Sequence, residues 1–175
     1  MRHLLALVLC SLIVAPTLAA SPYPEPQRDG GPRIRAQDGR IKELLKIGTA
    51  RSSTFRALVD RINADDVIVY VSLSPLLKPN LAGKLTWMGK AGGFRYVRAQ
   101  ISTELHPDVM IATLAHELQH AVEVIEDEGV TDQRSLEQLY KRIGRPSGSS
   151  VPAGWETEAA HQAGLRVRRE LATTL

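Results

Sequence analysis

The chain has 175 residues, 43% hydrophobic and 23% charged, proportions that exclude wholesale disorder and suit one globular domain. Its 22 basic and 19 acidic residues give a net charge of +3, or +2 without Arg2, too slight an excess to argue for nucleic acid. The single cysteine, Cys10, lies near the N-terminus, so the chain beyond it offers neither disulfides nor thiolate metal ligands.

Residues 1–20 read as a signal peptide. Arg2 and His3 form a basic start, Leu4 to Ala15 is apolar, Pro16 breaks the run, and Leu18-Ala19-Ala20 supplies a small-residue cleavage site. The twelve-residue apolar run is short for a membrane span, which needs about 20 residues. A secreted or periplasmic protein without stable membrane insertion is expected; an uncleaved anchor is the alternative. Residues 21–33, with Pro22, Pro24, Pro26, Gly30, Gly31 and Pro32, read as an extended linker, and 34–175 as the single folded domain.

Within that domain, Ile41, Leu44, Leu45 and Ile47 predict a short helix stopped near Gly48. Ser52 or Ser53 caps a second, with Phe55, Leu58, Val59 and Ile62 inward as far as about Ala64. The β-branched run from Asp66 to Ser74 is the clearest strand. Leu85 to Met88 and Phe94 to Ile101 flank a Gly-rich turn and predict a hairpin. Pro107 starts the next helix, with Ile111, Leu114, Ala115, Leu118, Val122 and Ile125 on one stripe. A helix from Thr131 to Ile143, a loop from Pro146 to Gly154 and a last helix from about Trp155 to Leu171 complete the chain. Ala159, Ala160, Ala163, Val167 and Leu171 form that helix's packing face. The fold class expected is α+β, a small, mostly antiparallel sheet packed against the Pro107 helix and further helices.

That helix carries His116-Glu117-Leu118-Gln119-His120, or H-E-x-x-H. Residues four apart share a helix face, so both imidazoles can point at one ion, with Glu117 between them as general base for a metal-activated water. A hydrolytic zinc site commonly has three protein ligands and an open position.

H-E-x-x-H on such a helix resembles the zincin metallopeptidases. The metzincin continuation is missing: Glu123 and Glu126 stand where that branch has glycine and a third histidine. Glu126 is also about 9 Å along the axis from His120. Glu123 either supports a ligand or faces solvent. The chain is more similar to the gluzincins, though to no specific named family, and the resemblance implies a third ligand from a glutamate on a later helix. Glu156 is favoured because it shares a face with Ala160 and Ala163; Glu158 is the alternative. Several gluzincins place an acidic residue four after this ligand to orient a zinc histidine, but here that position is Ala160, so the orienting group is unassigned. His161, Tyr140 and His106 are the candidates for stabilising the reaction's oxyanion.

The resemblance implies one Zn²⁺ ion held by His116, His120 and Glu156, and hydrolysis of peptide bonds in a peptide or protein substrate, lying on a sheet edge between Leu85 and Ile101. The alternative is a non-catalytic metal-binding or adaptor protein on the same scaffold. A purely structural envelope protein is the third possibility.

Overall fold

A computed structural model describes residues 30–77, 81–147 and 154–173. The proposed leader and residues 21–29 of the linker lie outside the described residues. Among those described, no helix is long and apolar enough to cross a membrane.

The chain forms β1 (Ile34–Ala36), α1 (Gly39–Arg51), α2 (Ser53–Asn63), β2 (Val67–Ser74), β3 (Gly83–Ala91), β4 (Phe94–Ser102), α3 (Pro107–Glu126), α4 (Gln133–Ile143), β5 (Arg145–Ser147), β6 (Gly154–Glu156) and α5 (Glu158–Thr173). This is an α+β arrangement. Four strands form a sheet in the order β1-β2-β4-β3, and β5 pairs with β6 in a separate ribbon.

The larger sheet is not mostly antiparallel. β1–β2 and β2–β4 are parallel and only β3–β4 is antiparallel. The reason lies in which hairpin strand takes the interior. In β4, Arg95, Val97, Ala99 and Ile101 alternate as fully covered positions, whereas β3 has no buried residue. Burial therefore draws β4 against β2, and the reversal between β3 and β4 makes that pairing parallel. Ala91 pairs with Phe94 across Gly92-Gly93, whose φ values of 56° and 80° allow the two-residue turn. β3 is consequently the outer strand, and β4, included in the expected sheet edge, is interior.

Gly48 does not stop α1. The helix runs through it to Arg51, and the missing side chain makes room for Ile111 and Phe55, which would lie 3.0 Å from an added Cβ. Ser52 caps α2 by accepting from the Phe55 amide at 2.9 Å. A carboxylate from α5 joins it there: Glu170 accepts from the hydroxyls of Ser52 and Thr54 and from the Thr54 amide.

α3 starts at Pro107 as expected, but it is buried well beyond one stripe. Met110, Ala121 and Val124 are covered as fully as Leu114 and Leu118, and Ala112 is buried too. It lies between the sheet and α5, with α1 and α2 also against it, which explains the nearly continuous burial. Its C-terminal end is held by Arg95 of β4, 3% exposed. This guanidinium makes two bonds to Asp66, at 2.8 and 2.6 Å, and donates to the carbonyls of Val124 and Asp127, at 2.5 and 2.8 Å. Cation and helix C-terminus satisfy one another.

α5 starts later than its apolar pattern suggests. Trp155 and Glu156 belong to β6, and Thr157 caps the helix by accepting from the Ala160 amide at 3.1 Å. Ala159 is exposed; Ala160, Ala163, Val167 and Leu171 form the buried face. Gly164 also faces α3, where an added Cβ would stand 3.3 Å from the Ala112 carbonyl and 3.6 Å from the His116 Cβ. The expected Pro146–Gly154 loop is paired at both ends in the β5–β6 ribbon, and residues 148–153 lie outside the described residues.

Candidate metal centre

Helical spacing places His116 and His120 one turn apart on α3, with their Nε2 atoms 3.1 Å from each other and the rings edge to face. Glu156 approaches from β6, its Oε1 3.5 Å from His116 Nε2. The ligand atoms of His116, His120 and Glu156 all lie within 4.8 Å of one another. Ligands at about 2.0–2.2 Å in a tetrahedron stand about 3.3–3.5 Å apart, so little closure would bring the three onto one ion.

The unsatisfied atoms point the same way. Glu156 Oε1 is buried without a hydrogen-bond partner, and the 3.5 Å approach to His116 lacks hydrogen-bond geometry. A buried carboxylate oxygen left unpaired is costly unless a cation or proton meets it. Two imidazole nitrogens and that oxygen converge on one point, a donor set suited to zinc with a position left for a further ligand.

Glu156 therefore reaches the histidines from a strand, not from the helix face expected for it. Glu158, the alternative, is exposed on α5, where it accepts from Gln162 at 2.8 Å and pairs with Arg145 at 3.7 Å.

Electrostatics divides the two histidines. Burial, with His120 and His161 as neighbouring charges, pushes His116 down to about 3. Burial also opposes charge on His120, but its bond to Glu123 and the nearby carboxylates outweigh this and raise its pKa. Burial pushes Glu117 up to about 7, with Glu156 and Glu123 adding to the rise and His120 opposing it.

Glu117 is 4% exposed, and β3 begins directly over it. A Cβ on Gly83 would stand 2.5 Å from Glu117 Oε1 and 2.8 Å from Thr113 Cγ2. The carboxylate occupies space that exists because residue 83 has no side chain.

Glu123, which helical periodicity left between support and solvent, is 5% exposed. Its Oε2 lies 2.8 Å from His120 Nδ1, and its Oε1 accepts from the Thr157 hydroxyl at 2.5 Å. Thr157 and Gly83 were missed in the sequence. Thr157 carried a signal, a capping residue just before Glu158-Ala159-Ala160; Gly83 carried none that marks a neighbour distant in the chain.

The three candidates for oxyanion stabilisation separate clearly. The Tyr140 hydroxyl donates to the His120 carbonyl at 3.3 Å and its ring packs edge-on against that imidazole, so it braces the helix. His106 occupies the N-cap position of α3 without a side-chain capping bond, roughly 15 Å along the axis from His116. His161 is exposed and close enough to His116 and Glu156 to influence both electrostatically.

No protein-family model, curated protein or solved structure matches the chain.

Proposed function

We propose that the protein is an exported zinc-dependent metallopeptidase of gluzincin type. The observation that carries this reading is the convergence of His116 Nε2, His120 Nε2 and the unpaired Glu156 Oε1 beside the buried carboxylate of Glu117. Zinc held by these three residues would supply Lewis acidity and a water of lowered pKa. Glu117 takes the proton of the attacking water and passes it to the leaving amine. The burial of that carboxylate under Gly83 raises its pKa to about 7, which suits a group that must both accept and release.

The remaining parts of the site bind and orient. β3 has β4 as its one strand partner among the described residues, so its outer edge offers main-chain groups to an extended peptide. We assign to His161, exposed and within electrostatic reach of His116 and Glu156, the role of donating to the substrate carbonyl oxygen as it gains charge. The orienting group left unassigned by Ala160 has a candidate in Glu123, which stands against His120 Nδ1.

The test pairs metal analysis with Glu117→Gln. The wild type should bind one equivalent of zinc and cleave peptides from a broad library. The variant should retain zinc and lose hydrolysis by at least about 10²-fold, the lower range for removing a general base. Equal hydrolysis by the variant overturns the assignment of Glu117, and stoichiometric zinc with no cleavage by the wild type favours the adaptor.

A further inference from the structure

The chain of bonds behind the histidines joins two parts of the candidate metal set that are remote in sequence. His120 Nδ1 meets Glu123 Oε2 at 2.8 Å, and the other oxygen of that carboxylate accepts from Thr157 Oγ1 at 2.5 Å. The Thr157 oxygen in turn accepts from the Ala160 amide at 3.1 Å. His120, Glu123 and Thr157 are all nearly inaccessible, at 5%, 5% and 3% exposure, so water cannot substitute for a lost partner without rearrangement. Each group has one compatible role. The Thr157 hydroxyl has a single proton and spends it on Glu123; Glu123 then has its other oxygen for His120, which must present an N–H at Nδ1. Fixing the proton at Nδ1 directs the Nε2 lone pair toward His116 and Glu156.

We propose that Glu123 and Thr157 form a carboxylate–hydroxyl clasp that positions two ligands at once: it orients His120 and, through the peptide joining Glu156 to Thr157, sets Glu156 at its distance from α3. This rests on the reading of His116, His120 and Glu156 as a zinc set. Both clasp members are positioning residues, since neither touches the ion or substrate. The clasp accounts for the absence of an orienting acid on α5: the acid is on the histidine helix, and α5 contributes the hydroxyl that holds it. A carboxylate three residues after His120 lies on the same helical face as that histidine, so the arrangement needs no additional loop.

Zinc affinity, measured by competition with a chromophoric chelator, tests the proposal on the full chain. Thr157→Val keeps the side-chain shape and removes the donor; Thr157→Ser restores it; Glu123→Gln leaves one oxygen where two are used. Thr157→Val and Glu123→Gln should each bind zinc about 10- to 100-fold more weakly, the range for removing a partner behind a metal ligand, and Thr157→Ser should stay near the wild type. In the zinc-loaded wild type, the His120 Nδ1 proton should be visible by NMR and slow to exchange. It should exchange faster in Thr157→Val and recover in Thr157→Ser. If Thr157 serves only to cap α5, Thr157→Val lowers the melting temperature of the metal-free protein while its zinc affinity stays within about twofold of wild type. That result, or a His120 Nδ1 proton that exchanges as fast in the wild type as in Thr157→Val, overturns the clasp while leaving the zinc site intact. A wild type that takes up no zinc overturns the metal reading and the clasp with it.

Discussion

Gly83 and Glu117 define a constraint between the first residue of an edge strand and the middle of a helix, 34 positions later. Gly83→Ala would set a methyl 2.5 Å from Glu117 Oε1, and the carboxylate must swing away because the strand backbone is paired to β4. None of the three candidate ligands lies among the atoms nearest that methyl, so zinc content should be unchanged. Peptide hydrolysis should fall about 10²-fold, as expected when a reacting group is displaced by about 1 Å. Overpacking should cost about 1–3 kcal/mol in denaturant unfolding. Full activity in this variant would show that Glu117 works from another position. The same residues mark where the sequence was legible. Helical spacing alone sufficed to put His116 and His120 on one face, because both lie within a single turn of a well-signalled helix. Gly83, Arg95 and the Glu123–Thr157 bond depend on which strand packs over which turn, and no local pattern carries that. Arg95 is the partial exception, since strict alternation with Val97, Ala99 and Ile101 assigns it to the inner face.

At the level of elements, helix α2 borrows its N-terminal anion from α5. Burial of Glu170 opposes its charge, but the hydroxyls of Ser52 and Thr54 and the Thr54 amide outweigh it and hold the carboxyl below its usual 4.5. A carboxyl with a depressed native pKa stabilises the fold fully above its unfolded pKa, and this contribution disappears as the pH falls through the native value. Glu170→Gln should therefore cost about 0.3–1 kcal/mol at pH 7, the range for a solvated anion at a helix N-terminus, measured by denaturant unfolding. Below pH 4.5 the difference between variant and wild type should shrink toward zero; a constant difference from pH 7 to 3 would show that Glu170 acts by packing alone. Elements were read from the sequence well where caps and periodicity agreed, as at Ser52 and Pro107. The misplaced start of α5 has a local cause. Trp155 and Glu156 extend its apolar period, while Thr157, whose hydroxyl can cap only a helix that begins after it, sets the true boundary.

On the scale of the whole molecule, the candidate ligands come from two separately supported pieces. His116 and His120 lie on α3, buried on most sides and pinned at its end by Arg95; Glu156 sits on a three-residue strand tied by β5 and by the Thr157 bond. Zinc joining these pieces adds its binding energy to folding: at a hundredfold excess of free metal over Kd the gain is about 2.7 kcal/mol. For a domain of this size that is a rise of about 5–10 °C in Tm, reversed by chelation and restored by zinc. An unchanged Tm would mean that the three residues do not bind the ion together. The asymmetry of the two pieces also gives capture of the ion an order in time. The imidazole pair is set by α3, so the ion is expected to meet it first, and the carboxylate on its short strand to complete the set by the small closure that the ligand distances require. Stopped-flow mixing should accordingly show a fast phase whose rate grows with zinc concentration, followed by a slower one that does not.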